Sequence, residues 1–385
     1  MAISAESPAL GNAGLDWLVA FLKEELAPYP GRTAAVARMA TACIVTMLAV
    51  MIFKLPNGFL AVFYALAISR ENLRSTVRNG FGIVLGNLAG LALGLAGVIL
   101  FIDDPLLHFL YVVGTFFLAF FLIRTLANDS LAFGFSIILI AASSVNIIWA
   151  RPNSFRPDIG ITLWTSFGMI LGTLAAVLAD WMFSPRGALA DLPTRTSRMF
   201  VADAFSNPAY QVFALKGCLA ATICYVTWAG LGWSGLGVCT VTCVIAAPHS
   251  TPGSSRQRLT TRLLGLLTGG VICGIGSQVF ILPSVDSIVG FALPFAAVSA
   301  TAAWVVTSSP RLSYFGRQMA LAYYLTIFQG FGINPSLAMS RDRLMGILLG
   351  LLVMWLVFDV TAKRSEPLCG DPGHPENGIA IQRFQ

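Results

Sequence analysis

Long apolar stretches separated by short polar ones run through almost the whole chain. Stretches such as 33–53, 78–102 and 158–183 reach or exceed the ~20 residues that an α-helix needs to cross ~30 Å of hydrocarbon. The alternation of polar and apolar residues that a membrane-spanning barrel requires is missing. The pattern therefore predicts an all-α polytopic membrane protein.

The apolar segments, bounded by Pro, Gly or charged residues, fall into two sets of six. The predicted spans are approximately 33–53, 57–69, 78–102, 106–125, 131–150 and 158–183 in the first half, and 212–230, 234–247, 259–281, 287–307, 315–333 and 342–361 in the second. Because each set has an even number of spans, both halves begin on the same side of the membrane. About 12 transmembrane helices are thus predicted, as two parallel six-helix repeats.

The same pattern divides the chain into five parts. They are a cytoplasmic N-terminus with an interfacial amphipathic helix (1–32), the first repeat (33–183), a cytoplasmic linker (184–211), the second repeat (212–361) and a polar tail predicted to be disordered (362–385). The interfacial helix is predicted from apolar residues on one face of 15–26. A free cytoplasmic amphipathic helix is the alternative for this segment.

Glycine ladders recur in the two halves at matching places. They comprise Gly82, Gly86, Gly90 and Gly94 in the first half, and Gly265, Gly269, Gly270 and Gly274 in the second. Small residues at every fourth position let helix backbones approach closely in lipid, so the ladders predict tight helix–helix packing. A glycine-lined path through the membrane is the alternative.

Composition agrees with a membrane location and sets the predicted orientation. Hydrophobic residues make up 56% of the chain and charged residues 11%, against ~25% charged residues in soluble domains. Few of the 24 Lys and Arg residues fall in predicted outer loops: Lys54, Arg151, Arg156, Arg341 and Arg343. The positive-inside rule then places both termini in the cytoplasm. It also accounts for the net charge of +6 without any role in binding nucleic acid.

Two predicted spans, 57–69 and 234–247, are short for a membrane helix and occupy matching places in the two halves. Paired short segments of this kind indicate the central site of a transporter. The alternative is that both helices tilt little and are completed by polar turns.

Arginines cluster at the inner ends of these short spans. Arg70, Arg74 and Arg78 lie on one helix face in the first half, and Arg258 and Arg262 lie at the corresponding place in the second. Since guanidinium pairs well with carboxylate, the cluster predicts a vestibule that collects organic anions. A purely topological role, with the side chains reaching lipid phosphate, is the alternative.

A few polar side chains lie deeper in the predicted spans. Asn146 and Gln329 occupy matching places in the fifth and eleventh spans, and Tyr323 lies in the eleventh. We predict that these three residues contribute to substrate binding. Hydrogen bonding between helices is the other role that such residues commonly have.

Signals for catalysis, metals and cofactors are missing from the sequence. The chain has no P-loop, its three histidines lack metal-ligand spacing, and no nucleophile–base–acid arrangement stands out. We therefore predict no enzyme activity, no metal and no cofactor. Glu71, Asp180 and Asp359 are the acidic residues nearest to the spans, and they are the candidates for coupling transport to protons.

Several short motifs resemble those of the fusaric-acid-resistance and aromatic-acid-exporter (FUSC) superfamily, and within it the MdtO-type inner-membrane subunits of multidrug efflux assemblies. They are Phe21-Leu-Lys-Glu-Glu-Leu26 with Pro30-Gly31-Arg32, Ala202-Asp-Ala-Phe-Ser-Asn-Pro208, Ala214-Leu-Lys216, Ile223-Cys-Tyr225, Thr242-Cys-Val-Ile245, Gly253-Ser-Ser255, Thr307-Ser-Ser309, and Arg341-Asp-Arg343 followed by Gly346 and Gly350. Their order and spacing carry the resemblance.

The resemblance implies export of aromatic or organic acids, or of amphipathic drugs, across a bacterial inner membrane. It implies work with a periplasmic membrane-fusion adaptor and an outer-membrane channel, contact with membrane lipid, and by analogy a homodimer. Family members usually carry soluble helical domains after each half, whereas the linker and tail predicted here are short.

Other functions fit the same sequence. A passive organic-anion channel gains support from the lack of a carboxylate at a predicted midplane. A non-transporting scaffold for a periplasmic adaptor is a further alternative, and a lipid-modifying enzyme is a fourth, although it lacks any catalytic constellation.

Overall fold

The structure, a computed structural model, describes residues 20, 23, 25–69, 73–101, 103–145, 155–183, 199–246, 255–330 and 332–365. Within these ranges the backbone alone is described at 155–158, 234, 246, 255–259, 310–311, 329 and 361–365. The predicted interfacial helix, much of the linker and most of the tail lie outside the described residues.

Twelve helical segments follow one another in the described part of the chain. Those of the first half are α1 (Arg32–Phe53), α2 (Gly58–Ile68), α3 (Leu73–Phe101), α4 (Pro105–Thr125), α5 (Asp129–Ile140, extended by the π-helical turn Ala141–Val145) and α6 (Phe155–Phe183). Those of the second half are α7 (Pro208–Leu231), α8 (Val238–Ala246, preceded by the 3-10 turn Ser234–Gly237), α9 (Ser255–Gly265, extended by the π-helical stretches Leu266–Ile275 and Ser277–Ile281), α10 (Ile288–Val306), α11 (Pro310–Ile327) and α12 (Leu337–Ser365).

Eight of these helices are long and apolar enough to cross a membrane. Three shorter helical segments are also apolar, and α2 and α5 are two of them. Helices are the expected solution, because in lipid every backbone polar group must find its partner within the protein. The predicted all-α polytopic membrane fold is confirmed. We call the end at which α1 begins the inner end and the opposite end the outer end, after the predicted orientation.

The eleventh predicted span differs from its prediction at its outer end. It was predicted as helix over 315–333, but α11 ends at Ile327. The chain then forms a two-stranded antiparallel hairpin, β1 (Phe328–Gln329) and β2 (Gly332–Ile333), which we call the outer hairpin (residues 328–333). Gly330 supplies the turn with a positive φ of 60°. The Asn334 amide closes the hairpin by donating to the Ile327 carbonyl at 2.7 Å.

Packing partners recur in the same order in the two halves. In the first half α2 packs against α6 and α3 against α5; in the second, α8 packs against α12 and α9 against α11. The halves meet through α4 with α7 and α10 with α1, and through α2 with α11 and α5 with α8. A pseudo-twofold axis that relates the two halves would produce this order of packing partners. The order supports the two-repeat arrangement, which stays a prediction.

Glycines allow the close approach of these helix pairs. A Cβ atom on Gly90 of α3 would lie 2.5 Å from the Phe135 carbonyl oxygen of α5. One on Gly350 of α12 would lie 2.6 Å from the Cys239 carbonyl oxygen of α8. Both distances are too short for a side chain, so these glycines serve helix packing.

A buried arginine fastens α1 to α10 at the inner end. Arg32, 1% exposed, donates through Nη1 to the Ala27 carbonyl and through Nη2 to the Trp304 carbonyl, each at 2.6 Å. Its guanidinium also lies 4.3 Å from the centre of the Trp304 ring. Since α1 belongs to the first half and α10 to the second, Arg32 holds the two halves together.

Candidate functional site

A cavity of about 270 Å³ lies between the two halves of the bundle. Its walls come mainly from α2, α5, α8, α9, α11 and α12, so each half contributes its short helix. Most of the lining is apolar, with Phe59 of α2, Val241 of α8 and Leu325 of α11 among the side chains. The structure thus brings together the two short helices that the sequence associated with a central site.

Seven described side chains on the cavity wall can form hydrogen bonds, and three of them, Trp228, Arg262 and Arg343, can only donate. The seven are Asn57, Thr165, Trp228, Thr242, Arg262, Gln318 and Arg343. Trp228 is 2% exposed, and among the described residues its indole Nε1 has no hydrogen-bond partner. Within the described lining there is no carboxylate. A wall that carries two cations and an unpaired N–H donor is suited to an anion with an apolar body.

Arg262 lies at the inner end of the cavity, on α9. Its Nη2 donates to the Ile245 carbonyl in the last turn of α8, and its Nε donates to the Tyr314 hydroxyl of α11. The guanidinium also lies 5.4 Å from the centre of the Tyr314 ring. A cation at this place offsets the negative end of the α8 dipole, and it joins three helices of the second half.

Arg343 lies at the outer end of the cavity, on α12. Its Nη1 donates to the Leu325 carbonyl at 2.9 Å and to the Phe328 carbonyl at 2.7 Å, which caps the C-terminal end of α11. The guanidinium lies 5.6 Å from the centre of the Phe59 ring of α2. Arg343 therefore touches both halves of the bundle and the base of the outer hairpin.

A second cavity, of about 550 Å³, lies on the inner side of the first. Arg124, Arg317 and Asp129 are its charged lining residues, and Tyr314 also lines it. Ile245 and Gln318 line both cavities. The two cavities are therefore separated by these side chains and by the contact between Arg262 and Tyr314.

Of the predicted vestibule arginines whose side chains the structure describes, only Arg262 lies on the wall of the central cavity. Arg74 is half-buried and Arg78 exposed on α3, and neither lines the two cavities described above. Arg70 lies outside the described residues, and Arg258 is described in its backbone only. The structure thus does not bring Arg74 and Arg78 together with Arg262.

Of the polar residues predicted deep in the spans, Tyr323 is described in full. It is fully buried, with its ring centre 6.1 Å from that of Phe295 and 5.9 Å from that of Tyr324. It does not line either cavity, and its place is in an aromatic cluster of the core. Asn146 lies outside the described residues, and Gln329, in β1, is described in its backbone only.

Among the acidic coupling candidates, Asp180 lies in a buried cluster at the inner end. Its Oδ1 accepts a hydrogen bond from Ser69 Oγ at 2.9 Å and lies 3.6 Å from Arg38 Nε. This cluster joins α6 to α1 and to the end of α2. Asp359 is half-buried on α12, and Glu71 lies outside the described residues. Asp180 thus has a structural partner that its place in the sequence did not reveal.

Sequence reasoning missed three cavity residues: Arg343, Trp228 and Asn57. Arg343 was counted among outer-loop charges, although it belongs to the Arg341-Asp-Arg343 motif on which the family resemblance rested. Asn57 stands at the start of the short span α2, where it donates to Thr165 Oγ1 of α6 at 2.9 Å. The short-span signal could have pointed to Asn57, but nothing in the sequence distinguishes Trp228 from the other tryptophans.

Comparison with known proteins supports the resemblance drawn from the motifs. Residues 42–179 match the family described as "Fusaric acid resistance protein-like". The chain is 35% identical over 175 residues to "Multidrug resistance protein MdtO" of Escherichia coli O157:H7 and of Shigella flexneri, and 34% identical to that of E. coli K12.

Each of these matches covers 45% of the chain and 25% of the relative, so the matched region spans a quarter of the length of each MdtO. No solved structure matches the chain. Residues 42–179 are therefore similar to the fusaric acid resistance protein-like family, and 175 residues of the chain are similar to MdtO.

Proposed function

We propose that this protein is an inner-membrane transporter that exports organic anions, including aromatic acids and anionic amphipathic drugs, through the cavity between its halves. The observation that carries the proposal is the placement of two arginines, buried Arg262 and half-buried Arg343, at the inner and outer ends of one apolar cavity. The match of residues 42–179 to the fusaric acid resistance protein-like family and the likeness to proteins named for multidrug resistance support an efflux role.

The cavity suits a small molecule with one apolar body and an anionic group. Its volume of about 270 Å³ is close to the lower end of the ~300–1,000 Å³ range of ligand pockets. Buried cations are costly unless they are paired, so an anion that enters this cavity gains from both guanidinium groups. A neutral solute of the same shape would gain only from the apolar walls.

The inner cavity provides a route for such an anion. Its charged lining residues are Arg124, Arg317 and Asp129, so the two arginines outnumber the carboxylate and attract negative charge toward the bundle. From there a solute would pass Ile245 and Gln318, which line both cavities. We infer that loading takes place from the inner end, which the predicted orientation places in the cytoplasm.

Export through a larger assembly, with a periplasmic adaptor and an outer-membrane channel, is part of this proposal. This part of the proposal rests on the likeness to MdtO, and the matched region covers a quarter of the length of MdtO.

A passive organic-anion channel is a second candidate, and one observation favours it. The two cavities meet at only a few side chains, Ile245, Gln318 and the Arg262–Tyr314 contact. Movement of these groups would join the cavities without any rearrangement of helices.

The experiment is flux of benzenesulfonate into proteoliposomes, with benzenesulfonamide as a neutral control of similar shape. Benzenesulfonate stays ionised at all practical pH values, so passive diffusion of a neutral acid does not interfere. Hydrogen bonds to charged groups contribute roughly 1.5–3 kcal/mol, so Arg262→Gln should raise the KM for the anion about tenfold or more. The matched control Arg78→Gln, on an exposed helix face, should leave that KM unchanged.

Equal effects of Arg262→Gln on the anion and on the neutral compound would contradict anion binding at this cavity. Absence of protein-dependent flux for either compound would contradict transport of this class of solute. A pH gradient imposed at clamped potential then separates a proton-coupled exporter from a channel, because a channel follows only the electrochemical gradient of the anion itself.

A further inference from the structure

The outer hairpin lies next to the outer end of the cavity and belongs to the second half. It is fastened at its base by a buried polar cluster. Gln278 Nε2 donates to the Asn334 carbonyl at 2.7 Å and to Ser340 Oγ at 2.8 Å, and Asn334 Nδ2 donates to the Thr326 carbonyl at 3.1 Å. These bonds hold the start of α12 to the end of α11, so the base of the hairpin is fixed.

The tip of the hairpin contacts the other half through a backbone hydrogen bond. The Gly58 amide, at the first residue of α2, donates to the Gly330 carbonyl at 3.0 Å. This amide belongs to the first turn of α2, where helices lack internal acceptors for their N–H groups. Opening of the hairpin would therefore break this bond across the two halves without breaking any helix.

Arg343 connects the hairpin to the contents of the cavity. Arg343 lines the cavity, and its Nη1 holds the Phe328 carbonyl, which is part of β1. An anionic oxygen adds Coulomb attraction to a hydrogen bond from a guanidinium, which the oxygen of a neutral carbonyl lacks. An anion in the cavity that reaches Nη1 would therefore compete with the Phe328 and Leu325 carbonyls for that nitrogen.

We propose that Arg343 couples anion occupancy to the outer hairpin: it holds the hairpin closed while the cavity is empty, and it releases the Phe328 carbonyl when an anion takes over its guanidinium. The inference rests on the proposed function, because it requires an anion to reach the cavity. Arg343 acts here as a positioning residue. A lysine at this place would keep the charge, but it lacks the planar guanidinium whose Nη1 holds two carbonyls.

The test is hydrogen–deuterium exchange of the protein in lipid nanodiscs, with benzenesulfonate as the probe and benzenesulfonamide as the neutral control. Two regions report on the hairpin: the Gly58 amide and the peptide covering 328–333. Benzenesulfonate should speed their exchange about tenfold, and benzenesulfonamide should not. Amides of α3 around Gly90, packed against α5, should not change with either compound.

Substitutions separate coupling from a purely structural role. Arg343→Gln should give fast exchange at Gly58 and 328–333 without any probe, and benzenesulfonate should add nothing. Arg343→Lys should give the same fast exchange while it retains part of the affinity for benzenesulfonate. The matched control Arg341→Gln alters an exposed arginine paired with Asp342, and it should behave as the wild type does.

Binding of benzenesulfonate, measured by calorimetry on the same samples, distinguishes the failure of this inference from failure of the proposed function. If the wild type binds or transports benzenesulfonate while exchange of the hairpin stays constant, the coupling is refuted and the transport proposal stands. If Arg343→Gln keeps the slow exchange of the wild type, the coupling is likewise refuted. If the wild type neither binds nor transports the probe, both proposals fail for this class of anion.

Discussion

Replacement of Asp180 by Asn distinguishes a structural carboxylate from a proton carrier. Asp180 is fully buried, and Arg38 beside it is 9% exposed. The Asp180 Oδ1 atom lies 3.6 Å from Arg38 Nε and accepts the Ser69 hydroxyl. Asparagine keeps the shape of the side chain and an acceptor for Ser69, but it removes the negative charge beside a buried guanidinium. The substitution therefore probes the ion pair alone.

The expected loss of stability follows from the burial of this pair. Removal of one partner from a buried ion pair costs about 3–5 kcal/mol, because the remaining charge is left without compensation. Arg38 lies near the inner end of α1, where its side chain can shift toward water, so the lower part of that range applies. We expect a loss of about 3 kcal/mol for Asp180→Asn. The double variant Arg38→Met, Asp180→Leu, which removes both charges, should recover most of this loss.

A thermal ramp with a thiol-reactive dye in detergent measures this loss. Cys43, Cys224, Cys239 and Cys243 are all buried as free thiols, so the dye reports unfolding. Because unfolding of membrane proteins is commonly irreversible, midpoints are compared at one heating rate. The order expected is wild type above double variant above Asp180→Asn.

An unchanged midpoint for Asp180→Asn would refute the ion-pair reasoning. If the midpoint is unchanged and pH-driven flux disappears, Asp180 is instead the coupling residue that its place in the sequence predicted. Flux must be expressed per folded protein, so that lower stability is not counted as lost coupling.

Three further predictions concern packing, the link between the halves, and topology. Gly90→Val should lower the thermal midpoint strongly, because the new side chain would meet the Phe135 carbonyl of α5, whereas Gly114→Ala, in open space, should not. Arg32→Ala should destabilise by about 3 kcal/mol or more through its lost hydrogen bonds to carbonyls, measured against exposed Lys54→Ala. In a cysteine-free background, an impermeant thiol reagent should label Asp104→Cys from the periplasm of intact cells and should not label Ala127→Cys; the reverse result would invert the predicted orientation.

The helices could be predicted closely because lipid leaves the backbone few alternatives. Each hydrophobic segment must satisfy its own N–H and C=O groups, so length and polarity of the segments determine the spans. The short spans α2 and α8 were visible for the same reason, and both reach the central cavity. Hydropathy does not carry information on side-chain direction, and there the predictions lost accuracy.

Arg343 and Tyr323 illustrate that loss in opposite directions. Arg343 follows a loop and counts as an outer charge in any topological analysis, yet the carbonyls at the end of α11 draw it inward to the cavity. Tyr323 looks like a polar group available to a substrate, yet Phe295 of α10 encloses it in the core. In both cases the deciding partner lies on another element, outside the local pattern of the residue's own segment.

The charge of the cavity indicates the kind of anion that it fits. Arg262 and Arg343 each cap the C-terminal end of a helix, α8 or α11, and such an end carries the equivalent of roughly half a negative charge. About half a positive charge therefore remains at each end of the cavity, and its described lining holds no carboxylate to neutralise the rest. A solute with a single negative charge would bring the total close to zero. A dianion would leave excess negative charge in a medium of low dielectric constant. If the proposed function holds, we expect singly charged organic anions to be preferred over both neutral and doubly charged ones.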